Sequence, residues 1–165
     1  MTDERPGQKA GVVKGLFDSA VAAETKQRAR ELRSNSQRLW GKMSVAQTLA
    51  HCTSSLEMAM GTINPRRAPF PASVLGLLIK PLVFGNDKPM RRNSPSVPEL
   101  FSAEPATCDF ELERGSLVAA IDRFASEGAA CCSQHPHPFF GPLQPQQWSI
   151  LMYKHLDHHL RQFGV

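Results

Sequence analysis

The chain has 165 residues, 41% of them hydrophobic, which suffices for one buried core and is too little for two, so a single domain spanning 1–165 is expected. Nineteen Lys and Arg against fifteen Asp and Glu give a formal charge of +4, but the basic residues are scattered and only 7% of the chain is aromatic, which argues against a nucleic-acid groove built on base stacking. The polar opening residues lack the pattern of a secretory signal, and the longest apolar run, 72–84, is broken by Lys80 and Pro81; a cytoplasmic protein with neither a nucleic-acid nor a membrane partner is expected.

After a loosely ordered start over 1–11, a helical period runs through 12–32, where Val13, Leu16, Phe17, Ala20 and Val21 recur at three-to-four spacing before Ser34-Asn35-Ser36 ends it. A second helix begins at Ser44, a good N-cap, and carries Val45, Leu49, Cys52, Leu56 and Met60 to Gly61. Proline is dense from 62 to 105, which blocks long regular helices and marks a crossover. Within it, 73–79 reads as a short apolar helix that Pro81 stops. Arg66, Arg67, Lys80, Lys88, Arg91 and Arg92 in this stretch are expected to be solvated, the alternative being an entrance for an anionic substrate.

A third helix is expected from about Ser116 to Gly128, with Leu117, Val118, Ile121, Phe124 and Ala125 on one face. The fourth follows the turn residues His135-Pro136-His137-Pro138 and Gly141-Pro142 and spans 145–163. Two short hairpins joined by one long connection describe an all-α four-helix bundle with a Pro-rich crossover between helices two and three. The four cysteines, Cys52, Cys108, Cys131 and Cys132, have neither CxxC spacing nor the look of a secreted disulfide framework, and are expected as reduced structural thiols.

The last helix is the most informative. Trp148, Leu151, Met152, Leu156, Leu160 and Phe163 form an apolar stripe, and His155 and His159 fall inside it, four residues apart, where two imidazoles project side by side. Spacing alone fits either a chelating pair or two neutral, hydrogen-bonded structural histidines. His158 lies to the flank with Lys154 and Asp157, in surroundings expected to be solvated or to support the pair. A third ligand is needed, and His51 is the other histidine inside a predicted helix, yet it lies to one side of the second helix's apolar stripe, where periodicity alone makes it a surface residue.

Trp40-Gly41-Lys42-Met43-Ser44, then Leu49-Ala50-His51, and the ending Tyr153-Lys154-His155-Leu156-Asp157-His158-His159-Leu160-Arg161-Gln162-Phe163-Gly164 resemble the DinB-like, YfiT-type superfamily; the tail and His137-Pro138-Phe139-Phe140-Gly141-Pro142-Leu143 resemble an uncharacterised branch of it. The resemblance covers most of the chain from about Gln37 and implies a four-helix bundle with a metal held by one histidine of the second helix and an HxxxH pair of the fourth. Here those positions are His51, His155 and His159. Three imidazoles leave coordination room for water or substrate; imidazole suits zinc, nickel, iron or copper, of which zinc or nickel is expected on availability and ligand type.

Two functions are in competition. One is a metal-dependent enzyme acting on a small molecule, in which the cation activates water or a thiol for hydrolase or transferase chemistry, with His137 or His158 on the substrate side. The other is a non-catalytic metal-binding bundle with a stress-related or interaction role. Pairing through helix faces into a homodimer fits either.

Overall fold

The computed structural model describes residues 13–92, 98–101 and 108–165. Asp18 accepts hydrogen bonds from the backbone N–H groups of Ala20 and Val21 and opens α1 (Ser19–Glu31). Ser44 and Gln47 form a reciprocal capping box at the start of α2 (Val45–Ala59). Helix α3 (Ala72–Phe84) is longer than its apolar run predicted, because Pro81 sits inside it and does not end it. Helix α4 (Phe110–Glu127) starts six residues before the expected Ser116, where Asp109 caps Leu112. Helix α5 (Pro145–Gln162) has proline in its first turn, where no N–H is missed. A 3-10 turn, Pro98–Phe101, lies in the crossover, and another, Gly128–Cys131, follows α4.

All regular elements among the described residues are helical. Helix α1 packs on α4 and α5, and α2 packs on the same two, which closes a ring in the order α1, α4, α2, α5; α3 lies outside it against α5. The expected side-by-side hairpins are therefore corrected: among the described residues neither α1 and α2 nor α4 and α5 pack on one another. Each short connection instead crosses the end of the helix between its two neighbours. The α1–α2 link passes over the end of α5, with Leu39 N–H donating to the Gln162 carbonyl (2.7 Å) and the Gln162 amide to the Trp40 carbonyl (2.8 Å). The α4–α5 link passes the end of α2, where Ser133 N–H donates to the Ala59 carbonyl (2.8 Å). The centre of the ring is filled by Leu49, Leu56, Ile121, Phe124, Trp148 and Leu156, all buried to within 1%.

Two charged groups expected in solvent are also buried, because α5 has neighbours on three sides. Asp157, 6% exposed, accepts from Arg28 of α1 (2.9 Å) and from Arg161 (2.8 Å). Lys154, 5% exposed, donates to the carbonyls of Val83 (2.7 Å) and Asn86, so its ammonium sits at the electronegative C-terminal end of α3. Burial lowers the Lys154 pKa, and the nearby Asp87 partly offsets this. Cys52, Cys131 and Cys132 are free thiols.

Gly76 is where α3 meets the loop before α5. A Cβ there would fall 2.2 Å from the Phe139 carbonyl oxygen, a backbone atom that cannot rotate aside. Gly76→Ala is expected to destabilise the protein by about 1–3 kcal/mol through overpacking. Urea denaturation measures it, and an unchanged midpoint would mean that α3 does not rest on this loop.

Candidate metal centre

Helices α2 and α5 bring three imidazoles together. The Nε2 atom of His155 lies 3.1 Å from that of His51 and 3.0 Å from that of His159, and one ligating nitrogen from each falls within 4.8 Å of the others. His51 is 3% exposed and His159 8%, while His155 keeps partial exposure. The surface position that periodicity gave His51 is thus overturned. Helix α2 faces α4 on one side and α5 on the other, so its buried arc widens to take in His51, Ser55 and Met58, and Leu100 of the crossover covers that flank.

The outer nitrogens fix the tautomers. His51 Nδ1 lies 3.0 Å from the Leu100 carbonyl oxygen, which can only accept, so Nδ1 carries the proton. His159 Nδ1 lies 2.9 Å from Gln162 Oε1, and the Gln162 amide group is oriented by its donation to the Trp40 carbonyl, so this Nδ1 is also the donor. Both Nε2 atoms therefore present lone pairs inward. Burial holds all three histidines neutral: it lowers His51, takes His159 down to about 3 with help from His51, and pushes His155 well below the ordinary value with help from His159 and His51.

The Nε2 atoms of His51 and His159 both aim lone pairs at His155 Nε2, whose single N–H can satisfy only one of them fully, and a cation placed among the three would coordinate all of them. The donor set thus fits a divalent ion of the borderline kind. No carboxylate or thiolate joins the three among the described residues.

His158 is half-buried. Its ring meets Trp40 edge-on at 5.8 Å and His159 at 5.1 Å, and it is hydrogen-bonded to the Met90 backbone. His137 is 8% exposed, and its Nδ1 accepts from the backbone N–H groups of Phe139 (3.1 Å) and Phe140 (3.3 Å), closing a tight turn whose ring packs 5.6 Å from Trp148. Burial and the nearby Lys80 take its pKa down to about 3.

Residues 17–164 match a family model described as a protein of unknown function, DUF1569. The chain belongs to the DUF1569 family. No curated protein and no solved structure matches it. In this DUF1569 chain, sequence reasoning missed Gln162 and Leu100 as partners of the imidazoles. Gln162 was accessible in principle, since it lies three residues after His159 on the same helix face. The Leu100 carbonyl was not, because a backbone oxygen in a proline-rich crossover carries no side-chain signal.

Buried neutral histidines make acid stability predictable. Below pH 6.5 an unfolded chain takes up protons on imidazoles that the folded chain keeps neutral down to about pH 3, so the unfolded state binds more protons and stability falls as pH drops. For the metal-free protein, His137 and His159 are each expected to remove up to about 2 kcal/mol between pH 7 and pH 5. Urea midpoints across that range check this, and a flat profile would show that these rings are protonated or exposed when folded.

Proposed function

We propose that this protein is a DinB-like four-helix bundle in which His51, His155 and His159 hold one divalent cation, zinc or nickel, for metal-dependent chemistry on a small molecule. The observation that carries the reading is the pair of Nδ1 donations, from His51 to Leu100 and from His159 to Gln162, which aim two neutral Nε2 lone pairs at His155. The ring of α1, α4, α2 and α5 supports the bundle reading. So do the helix directions: Leu16 meets Ser149 at the start of α5 while Arg28 meets Asp157 near its end, so α1 and α5 run together, and the Trp40–Gln162 contact sets α2 against them.

When bound, a divalent ion at such a site supplies Lewis acidity that brings water or a thiol toward its anionic form near neutral pH. The protein's own part is orientation and exclusion of solvent. Leu100 and Gln162 fix the rings of His51 and His159, the burial of those two rings excludes solvent from them, and the partial exposure of His155 leaves one approach. In this reading His158, half-buried beside His159, is the polar group on the substrate side, and His137 supports the turn ahead of α5.

Elemental analysis of untagged protein is expected to find close to one divalent ion per chain, with a large loss in His51→Ala and in His155→Ala; unchanged content in either variant removes that residue from the ligand set. Gln162→Leu keeps all three imidazoles but removes the acceptor of His159, and is expected to weaken metal binding about 10- to 100-fold by competition titration with a chelator. Cobalt substitution separates the enzyme from a non-catalytic metal-binding module. A visible spectrum that shifts on adding a small thiol indicates an open position, and an unresponsive one indicates saturation by protein.

A further inference from the structure

Helix α3 leaves a large apolar surface uncovered. Phe70, just before it, is 82% exposed, and Leu75, Leu78 and Leu82 are 58%, 71% and 69% exposed. Val74, Leu77 and Ile79 are exposed as well, so at about 100° per residue the uncovered apolar arc spans roughly 200° of the helix. The opposite side is held firmly, by Gly76 on the Phe139 backbone and by Lys154 on the carbonyls of Val83 and Asn86. The exposed side is therefore fixed outward.

The surrounding sequence says what can cover it. Arg66 and Arg67 precede the helix and Lys88, Arg91 and Arg92 follow it, all exposed, with Arg92 stacked 4.1 Å over the Trp40 ring, while Asp87 is the sole acidic residue from 66 to 92. A second copy laid along α3 in either direction would set basic clusters against basic clusters. It would also cover a narrower seam than the arc presents. Residues 1–12, 93–97 and 102–107 contain only Met1, Val12 and Val97 as sizeable apolar side chains, too few to mask the arc. An anionic bilayer surface meets both requirements, because its headgroup–acyl boundary takes up a broad apolar face and its negative potential attracts flanking Lys and Arg. No described helix is long and apolar enough to cross a membrane, so α3 would lie on the surface.

We propose that α3 is an interfacial helix that seats this protein on anionic lipid, with Phe70, Leu75, Leu78 and Leu82 in the headgroup–acyl boundary and Arg66, Arg67 and Lys88 on the lipid anions. This revises the expectation of no membrane partner and is independent of the metal centre. The test is sedimentation of the full chain with vesicles of phosphatidylcholine alone or with about a third phosphatidylserine. Partitioning onto the anionic vesicles is expected to be at least about tenfold stronger near 0.1 M salt and to weaken as salt is raised. Leu78→Glu with Leu82→Glu is expected to lower it at least about tenfold with the thermal melt unchanged, since both sites are exposed. Arg66→Glu, Arg67→Glu and Lys88→Glu together should bring anionic vesicles down to the neutral level. Equal binding to both vesicle types, binding to neither, or binding that survives the leucine substitutions would overturn the proposal. Light scattering on the same samples identifies the rival occupant: a dimer that the leucine substitutions dissociate, without vesicle binding, assigns the face to a second copy.

Discussion

The arrangement rests on three uncharged imidazoles whose Nε2 atoms converge, two of them fixed as acceptors, so that one N–H on His155 cannot fully satisfy both. His155 Nε2 has another histidine nitrogen 3.1 Å away on one side and 3.0 Å away on the other. Burial of His51 and His159 confines any approach of water to the side where His155 is partly exposed, and the same burial resists protonation. The outer hydrogen bonds to Leu100 and Gln162 prevent the two flanking rings from turning their N–H groups inward. What is left is a small, largely buried cluster of nitrogen donors that could hold a divalent cation.

Bringing these rings together requires the ring order of the helices. Residues 51 and 155 are far apart in sequence, and α2 and α5 become neighbours because each short link spans a diagonal and leaves the consecutive helices apart. Helix α5 then works on several faces at once. Asp157 reaches α1 through Arg28, His155 and His159 reach α2, Lys154 reaches α3, and Gln162 ties both His159 and the α1–α2 link. A helix with so many neighbours buries charge, and each buried charge is matched: Asp157 by two guanidinium groups, Lys154 by two carbonyls.

This crowding also explains what could be read from the sequence. The starts of α2 and α5 and the apolar stripe of α5 were legible, since Ser44, Pro145 and the Trp148–Leu160 spacing act locally. His155 and His159 were legible as a pair for the same reason. His51 was not: a helical wheel assumes one buried face, and α2 has two. Lys154 and Asp157 read as solvent-facing because charge predicts exposure until a partner from elsewhere arrives, and Arg28 and the end of α3 are such partners. Pro81 failed as a stop signal: it forgoes the single N–H that would reach residue 77, and the helix nevertheless continues to Phe84. Family resemblance, and not periodicity, put His51 beside the other two.

Lys154 joins the two most distinctive parts of the molecule. It precedes His155 on α5, and its ammonium is fastened to the C-terminal carbonyls of α3 in a buried setting that lowers its own pKa. An ammonium taken out of water and given two carbonyls is costly to detach, since either the charge or the carbonyls would be left unsatisfied. The position of α3 is therefore transmitted to the turn of α5 that carries the half-buried imidazole, while His51 and His159 are anchored from other directions by Leu100 and Gln162. Such a link becomes a switch only where the element has two discrete arrangements; with one, it makes α3 a brace that holds His155 at its distance from its neighbours.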